Sequence, residues 1–154
     1  MAVKPIPEGY HTVTPYLVIA GAAKALEFYA KAFGAKERTR MEGPNGQVMH
    51  AEIQIGDSII MLADEFPDMG YRGPQAYGGT AVGLHLYVND VDTLFKQALA
   101  AGAKEERPVQ DQFYGDRTGT LRDPFGHQWS LATHKEDLTD EQIHERAAKM
   151  QPGA

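Results

Sequence analysis

The sequence predicts an α+β fold in which two tandem βαβββ modules form an eight-stranded, cup-shaped mixed sheet, with one more helix at the C-terminus. Three observations predict it. Ala30–Glu37 (AKAFGAKE) returns as Ala98–Glu105 (ALAAGAKE), 68 positions later. The order strand, helix, three strands can be read twice at that spacing. The chain has 154 residues, of which 42% are apolar and 23% charged, proportions that suit one globular domain and not a disordered chain.

Each element has its own signal. Val13 to Ile19 is β-branched and aromatic and reads as a strand; Pro15 cannot donate to a ladder and places it at a sheet edge. Leu26, Tyr29, Ala30 and Phe33 recur at helical spacing, so a helix runs over 22–33, opened at Gly21 and ended by Gly34. Lys36 to Met41 is a half-exposed strand, followed by a turn at Gly43-Pro44-Asn45-Gly46. Val48 to Ile55 alternates, with Ala51, Ile53 and Ile55 on one face and His50, Glu52 and Gln54 on the other. Gly56-Asp57 turns the chain into a buried strand, Ser58 to Ala63.

Residues 65–80 are rich in Gly and Pro and form a long loop, either linker or lid. The pattern then restarts with a strand from Val82 to Val88. Asp90 caps a helix bearing Val91, Leu94, Phe95, Ala98 and Leu99, and Gly102 ends it. Strands near 104–109, 117–122 and 128–133 follow, with Asp123-Pro124-Phe125-Gly126 as the last turn. Thr139 with Gln142 forms a capping box, and Leu138 with Ile143 a hydrophobic staple, for a tail helix that reaches Met150 before Pro152-Gly153. The expected organisation is an extension (1–11), a first module (12–64), a loop (65–80), a second module (81–134) and a helical tail (135–154).

Composition narrows the function. There are 15 Lys and Arg against 21 Asp and Glu, a net charge of −6 with no basic block, which disfavours nucleic acid and acidic membranes as partners. With no cysteine there is no disulfide framework, thiolate metal site, iron–sulfur cluster or cysteine nucleophile. The N-terminus carries Pro5 and Pro7 and no signal-peptide core, and the most apolar stretch, Tyr16 to Ala23, is too short to span a bilayer. The expected setting is the cytoplasm. No phosphate loop, dinucleotide fingerprint or Gly-x-Ser-x-Gly elbow is present.

In a βαβββ unit the helix covers one sheet face and leaves the other open; two units make a cup suited to a small molecule. Alternation assigns to the lining Thr14 and Tyr16, Met61, Gly83, His85 and Tyr87, and Ser130 with Gln128. Tyr114 and Arg117 sit just before the penultimate strand, where they can lean over the mouth. Arg117 is the one cation of this set, and two roles stand open: a fork for an anionic ligand, or a salt bridge to Asp116 or Asp123. Trp129 has the opposite parity to Ser130 and belongs under a helix. His50 and Glu52 share a polar face, either lining a wet cavity or meeting His85 as a facial metal triad. His85 or Glu52 is the candidate general base.

Ala25-Leu26-Glu27-Phe28-Tyr29-Ala30-Lys31-Ala32-Phe33-Gly34-Ala35 resembles the first-helix signature of the vicinal oxygen chelate superfamily, the glyoxalase, bleomycin-resistance and extradiol dioxygenase group. Asp123-Pro124-Phe125-Gly126-His127-Gln128-Trp129 resembles its last-hairpin signature. His50-Ala51-Glu52-Ile53, Ile60-Met61-Leu62-Ala63-Asp64, the strand from Gly79-Thr80 to Val88, and Tyr114-Gly115-Asp116-Arg117 resemble its PhnB-like branch. The resemblance spans Thr12 to Thr133 and is specific for the fold, not for a reaction.

Metal-dependent members of that superfamily place His or Glu at four positions. The matching residues here are Thr14, Met61, Gly83 and Ser130, none a good ligand for a divalent ion. The resemblance therefore implies a small-molecule binding protein with no cofactor. The alternative is a metal-dependent lyase, isomerase or dioxygenase with its divalent metal relocated to His50, Glu52 and His85. It also implies a two-fold homodimer, with the 65–80 loop and the tail helix as expected contacts.

Overall fold

A computed structural model describes residues 2–150; the expected stop at Pro152-Gly153 lies outside them. The first module comprises β1 (Tyr16–Ile19), α1 (Ala22–Phe33), β2 (Lys36–Glu42), β3 (Val48–Ile55) and β4 (Ser58–Asp64). The second comprises β5 (Gly83–Tyr87), α2 (Val91–Ala101), β6 (Lys104–Asp111), β7 (Asp116–Arg122) and β8 (Gln128–His134), and α3 (Asp140–Met150) follows. The eight strands are divided between two four-stranded sheets ordered β1-β4-β3-β2 and β5-β8-β7-β6. In each sheet the first strand runs parallel to the last, and the other pairings are antiparallel. The parallel pair is what the helical crossover permits.

The two edge strands near the module junction, β1 and β5, are short, and Pro15 precedes the first. The 65–80 loop is folded rather than extended. It contains two 3₁₀ turns, Pro67–Met69 and Pro74–Tyr77, and a bridge between Phe66 and Tyr71.

Helix α1 has no capping side chain of its own at Gly21, whose φ of 93° an L-residue would resist. Its cap comes from β4 instead. Asp64 Oδ1 accepts from the Gly21 and Ala22 amides at 3.1 and 2.8 Å, and Oδ2 accepts from Val48 N at 2.7 Å. One carboxylate thus satisfies the helix N-terminus and fixes the start of β3. Helix α2 is capped locally by Asp90, which accepts from Thr93 N at 3.1 Å.

Each helix covers one face of its sheet, and the two helices pack on each other. Leu17 and Ile19, Ala51 and Ile53, and Ile60 and Leu62 face α1; Leu121, Trp129 and Leu131 are their counterparts in the second sheet. Trp129 is fully buried, with its ring centroid 5.3 Å from Tyr29 and 4.7 Å from Phe33, so it lies beneath α1. Asp123 ties the modules together. Its Oδ2 accepts from Tyr29 Oη at 2.7 Å and Trp129 Nε1 at 2.9 Å, and its Oδ1 from the Phe125 and His127 amides. Gln97 adds bonds from α2 to the Lys31 and Ala32 carbonyls.

The tail helix keeps its capping box, with Thr139 N donating to Gln142 Oε1 and Gln142 N to Thr139 Oγ1. It docks on its own chain through Arg146, which forks onto Glu136 and reaches the Phe113 carbonyl. Among the described residues no helix is long and apolar enough to cross a membrane.

Candidate functional site

Alternation turns Tyr16 and Val18 of β1, His50 and Glu52 of β3, and Met61 and Ala63 of β4 away from α1. Register places Tyr16 beside Met61 and Met61 beside Glu52. Four side chains form a continuous hydrogen-bonded chain across this open face. Tyr16 Oη lies 3.2 Å from His50 Nδ1, His50 Nε2 lies 3.1 Å from Glu52 Oε1, and Tyr10 Oη donates to Glu52 Oε2. An imidazole with its proton on Nε2 satisfies both neighbours: it donates to Glu52 and accepts from Tyr16.

The electrostatics follow. The Tyr10 hydroxyl, seconded by His50, holds the Glu52 carboxyl below its ordinary range, and the same bond raises the Tyr10 phenol. Burial, with Tyr71 nearby, raises the Tyr16 phenol, so its hydroxyl stays a proton donor at neutral pH.

On one side of Tyr16 lies an apolar pocket of about 220 Å³, lined by Val18, Met49, Phe66, Met69 and Tyr71 among others. On the other side the N-terminal extension folds over the face, and Pro5, Ile6, Tyr10 and Thr14 enclose a second hollow against Glu52 and Met61. Gly9, at φ 84°, turns the chain so that Tyr10 reaches Glu52.

The residues expected in one cup divide between the modules. Thr14, Tyr16, His50, Glu52 and Met61 share the first face. His85, Tyr87 and Ser130 lie on the second module, with His85 paired to Ser130 across β5–β8 and its ring 4.8 Å from Tyr87. Thr14 and His85 approach each other only in a hollow at the module junction. Tyr87 donates to Asp116 at 2.8 Å, and Asp116 also bonds His134, which reaches on to Asp137. Gln128 is tied to Glu106. Tyr114 is partly exposed in the loop before β7, edge-on to Phe113.

Arg117 is a correction. β7 begins at Asp116, so Asp116 and Thr118 take the open face and Arg117 turns to the helix side. There its guanidinium forks onto Asp92 of α2 at 2.7 and 2.8 Å and reaches Asp111 at 3.2 Å. It neither leans over the mouth nor pairs with Asp116 or Asp123.

The metal triad is a second correction. His50 and Glu52 bond each other, but His85 belongs to the other sheet, and among the described residues no three His, Cys, Asp or Glu side chains gather around a common point. The side chains at Thr14, Met61, Gly83 and Ser130 supply no donor set that fits a divalent ion. The residues that alternation did not reach are Tyr10, Phe66, Met69 and Tyr71, which come from coil and loop.

Comparison with known proteins agrees with this architecture. The glyoxalase/bleomycin resistance protein/dioxygenase superfamily model matches residues 10–131. An uncharacterized protein of Mycobacterium bovis is 43% identical over 134 residues, covering 85% of this chain and 88% of that protein. The crystal structure of TioX from Micromonospora sp. ML1 is similar with a TM-score of 0.64 at 27% identity, covering 84% of this chain and 100% of that one. The PhnB protein of Bacillus cereus shares the fold with a TM-score of 0.63 at 21% identity, covering 80% and 99% respectively.

Proposed function

We propose that this chain, which belongs to the glyoxalase/bleomycin resistance protein/dioxygenase superfamily, binds a small molecule on the open face of its first module without a resident metal. The observation that carries this reading is the double role of Tyr16. It lines the apolar pocket and also begins the polar chain through His50 to Glu52. Small-molecule sites combine these same ingredients, an apolar body pocket and a few fixed polar groups.

The chemistry available is that of recognition. Tyr16, its proton given to His50, offers a hydroxyl oxygen that accepts, Glu52 offers an ionised acceptor, and His50 holds the two in place. The methionines adapt to an irregular ligand at small conformational cost.

Neutral 1-naphthylmethanol tests the site. Titrated into the labelled protein, it should shift the amides of Tyr16, His50 and Met61, and the paired changes Tyr16→Ala and Met69→Ala should weaken it. Shifts confined to other surfaces, or affinity untouched by both substitutions, refute the reading.

The working unit in this proposal is a two-fold homodimer. Val13, Val82 and Tyr87 are exposed beside the open edges of β1 and β5, where a second copy would cover apolar surface and strand edges. A monomer mass by light scattering overturns it.

A further inference from the structure

Resting on that assignment of the site, we propose that its ligand is an organic cation: an aromatic or alicyclic body carrying a protonated amine. Among the described residues, neither the apolar pocket nor the hollow under the extension is lined by a Lys or Arg side chain. Of the arginines nearby, Arg72 lines the neighbouring hollow beyond Tyr16, outside both of these, and the charge of Arg38 acts on Glu52 from the far side of the Tyr10 ring. Arg117 is clamped by Asp92 and Asp111 on the helix side, Arg40 by Glu37 and Glu42, and Arg38 bonds Gln54 with its charge 5.9 Å from the Tyr10 ring centre. An anionic ligand would meet Asp64 in the one hollow or Glu52 in the other with no Lys or Arg in the lining to answer it. Asp64 holds backbone amides, so Glu52 is the carboxylate left to a ligand.

The Glu52 side chain is 15% exposed and among the described residues accepts two hydrogen bonds, one per oxygen. A carboxylate has about four acceptor positions, so two remain for a donor approaching from the hollow. The imidazole cannot compete for an anion, because its Nε2 is committed to Glu52. The Tyr10 ring shares the hollow of the carboxylate, Tyr16 stands beyond His50, and past Tyr16 the rings of Phe66 and Tyr71 line the apolar pocket with Met49 and Met69. Aromatic faces attract an ammonium group and thioether sulfurs pack well on ring edges. One partly desolvated carboxylate beside aromatic rings, in hollows whose linings carry no Lys or Arg, selects positive charge on an apolar body.

Three matched probes test the charge separately from the site: 1-naphthylmethylammonium, 1-naphthylmethanol and 1-naphthylacetate, each titrated into the full chain by calorimetry. The ammonium should bind about tenfold tighter than the alcohol, the sum expected of a partly desolvated charge-assisted bond and a cation–π contact, and the acetate weakest. Added salt should narrow the gap. Glu52→Gln preserves the shape and should erase the ammonium preference, bringing the ammonium and the alcohol to equal affinity. If the acetate binds as well as the ammonium, or the preference survives Glu52→Gln and salt, the charge assignment is wrong and the site stands. If no probe binds, or Tyr16→Ala leaves all three unchanged, the site itself is wrong and the charge assignment falls with it.

Discussion

Tyr29→Phe removes one oxygen from the seam between the modules and nothing else. Asp123 is 4% exposed and accepts four hydrogen bonds, of which the 2.7 Å bond from Tyr29 Oη is the one that crosses from α1. The phenylalanine ring would keep its place against Trp129 and Phe33, so packing is conserved. Hydrogen bonds to a charged group contribute about 1.5–3 kcal/mol. Trp129 Nε1 still satisfies the same oxygen, which avoids an orphaned charge and sets the expected loss near the middle, about 2 kcal/mol.

For a chain of this length each kcal/mol moves the midpoint by about 2–4 °C, giving a fall of roughly 4–8 °C. Calorimetry and urea unfolding read the loss, with an unchanged m-value. A double-mutant cycle with Asp123→Asn should show coupling of about 1 kcal/mol or more, because both changes act on one bond. A Tyr29→Phe protein within about 0.5 kcal/mol of the parent, or strict additivity in the cycle, refutes the view of Asp123 as the link between modules.

Gly119→Ala should destabilise by about 1–3 kcal/mol in urea unfolding, since a Cβ there would sit 2.8 Å from both the Phe95 ring and Val109. His134, bonded to Asp116 and Asp137, has its pKa raised above the ordinary 6.5. Its contribution to stability is therefore complete below that ordinary value and is lost as pH rises through the raised one. His134→Gln should flatten the fall in Tm between about pH 6 and pH 8, and equal slopes for the two proteins would contradict the clamp. Arg117→Gln should leave naphthyl probe affinities unchanged in calorimetry, because its guanidinium points to α2 and away from the open face.

The fold was legible because its signals are local. Leu26, Tyr29 and Phe33 mark one helix stripe, and Ala51, Ile53 and Ile55 mark one strand face, without reference to anything distant. The capping box at Thr139 is legible in four residues. The site was only half legible. Alternation puts Tyr16, Met61, His50 and Glu52 on their faces, yet it cannot say which faces meet, and His85 lies across the module junction from Glu52.

Arg117 was misplaced by one position of strand start. The available signal was Leu121, apolar and of the same parity, whose burial against α2 carries Arg117 to the helix side. Tyr10, Phe66, Met69 and Tyr71 have no period to betray them. Their positions depend on how coil and loop drape over a finished sheet. The remote cap that Asp64 gives α1 was equally hidden, since it joins residues 42 and 43 positions apart.

Tyr10 makes the chain its own occupant of Glu52. A ligand that needs the Oε2 position must displace a phenol tethered a few residues away, so its measured affinity is the intrinsic one reduced by the fraction of molecules in which the phenol has let go. Affinity can then be tuned from outside the pocket. Stiffening the Pro5–Gly9 tether would weaken every such ligand together, and loosening it would strengthen them together, with no change in any group that touches them.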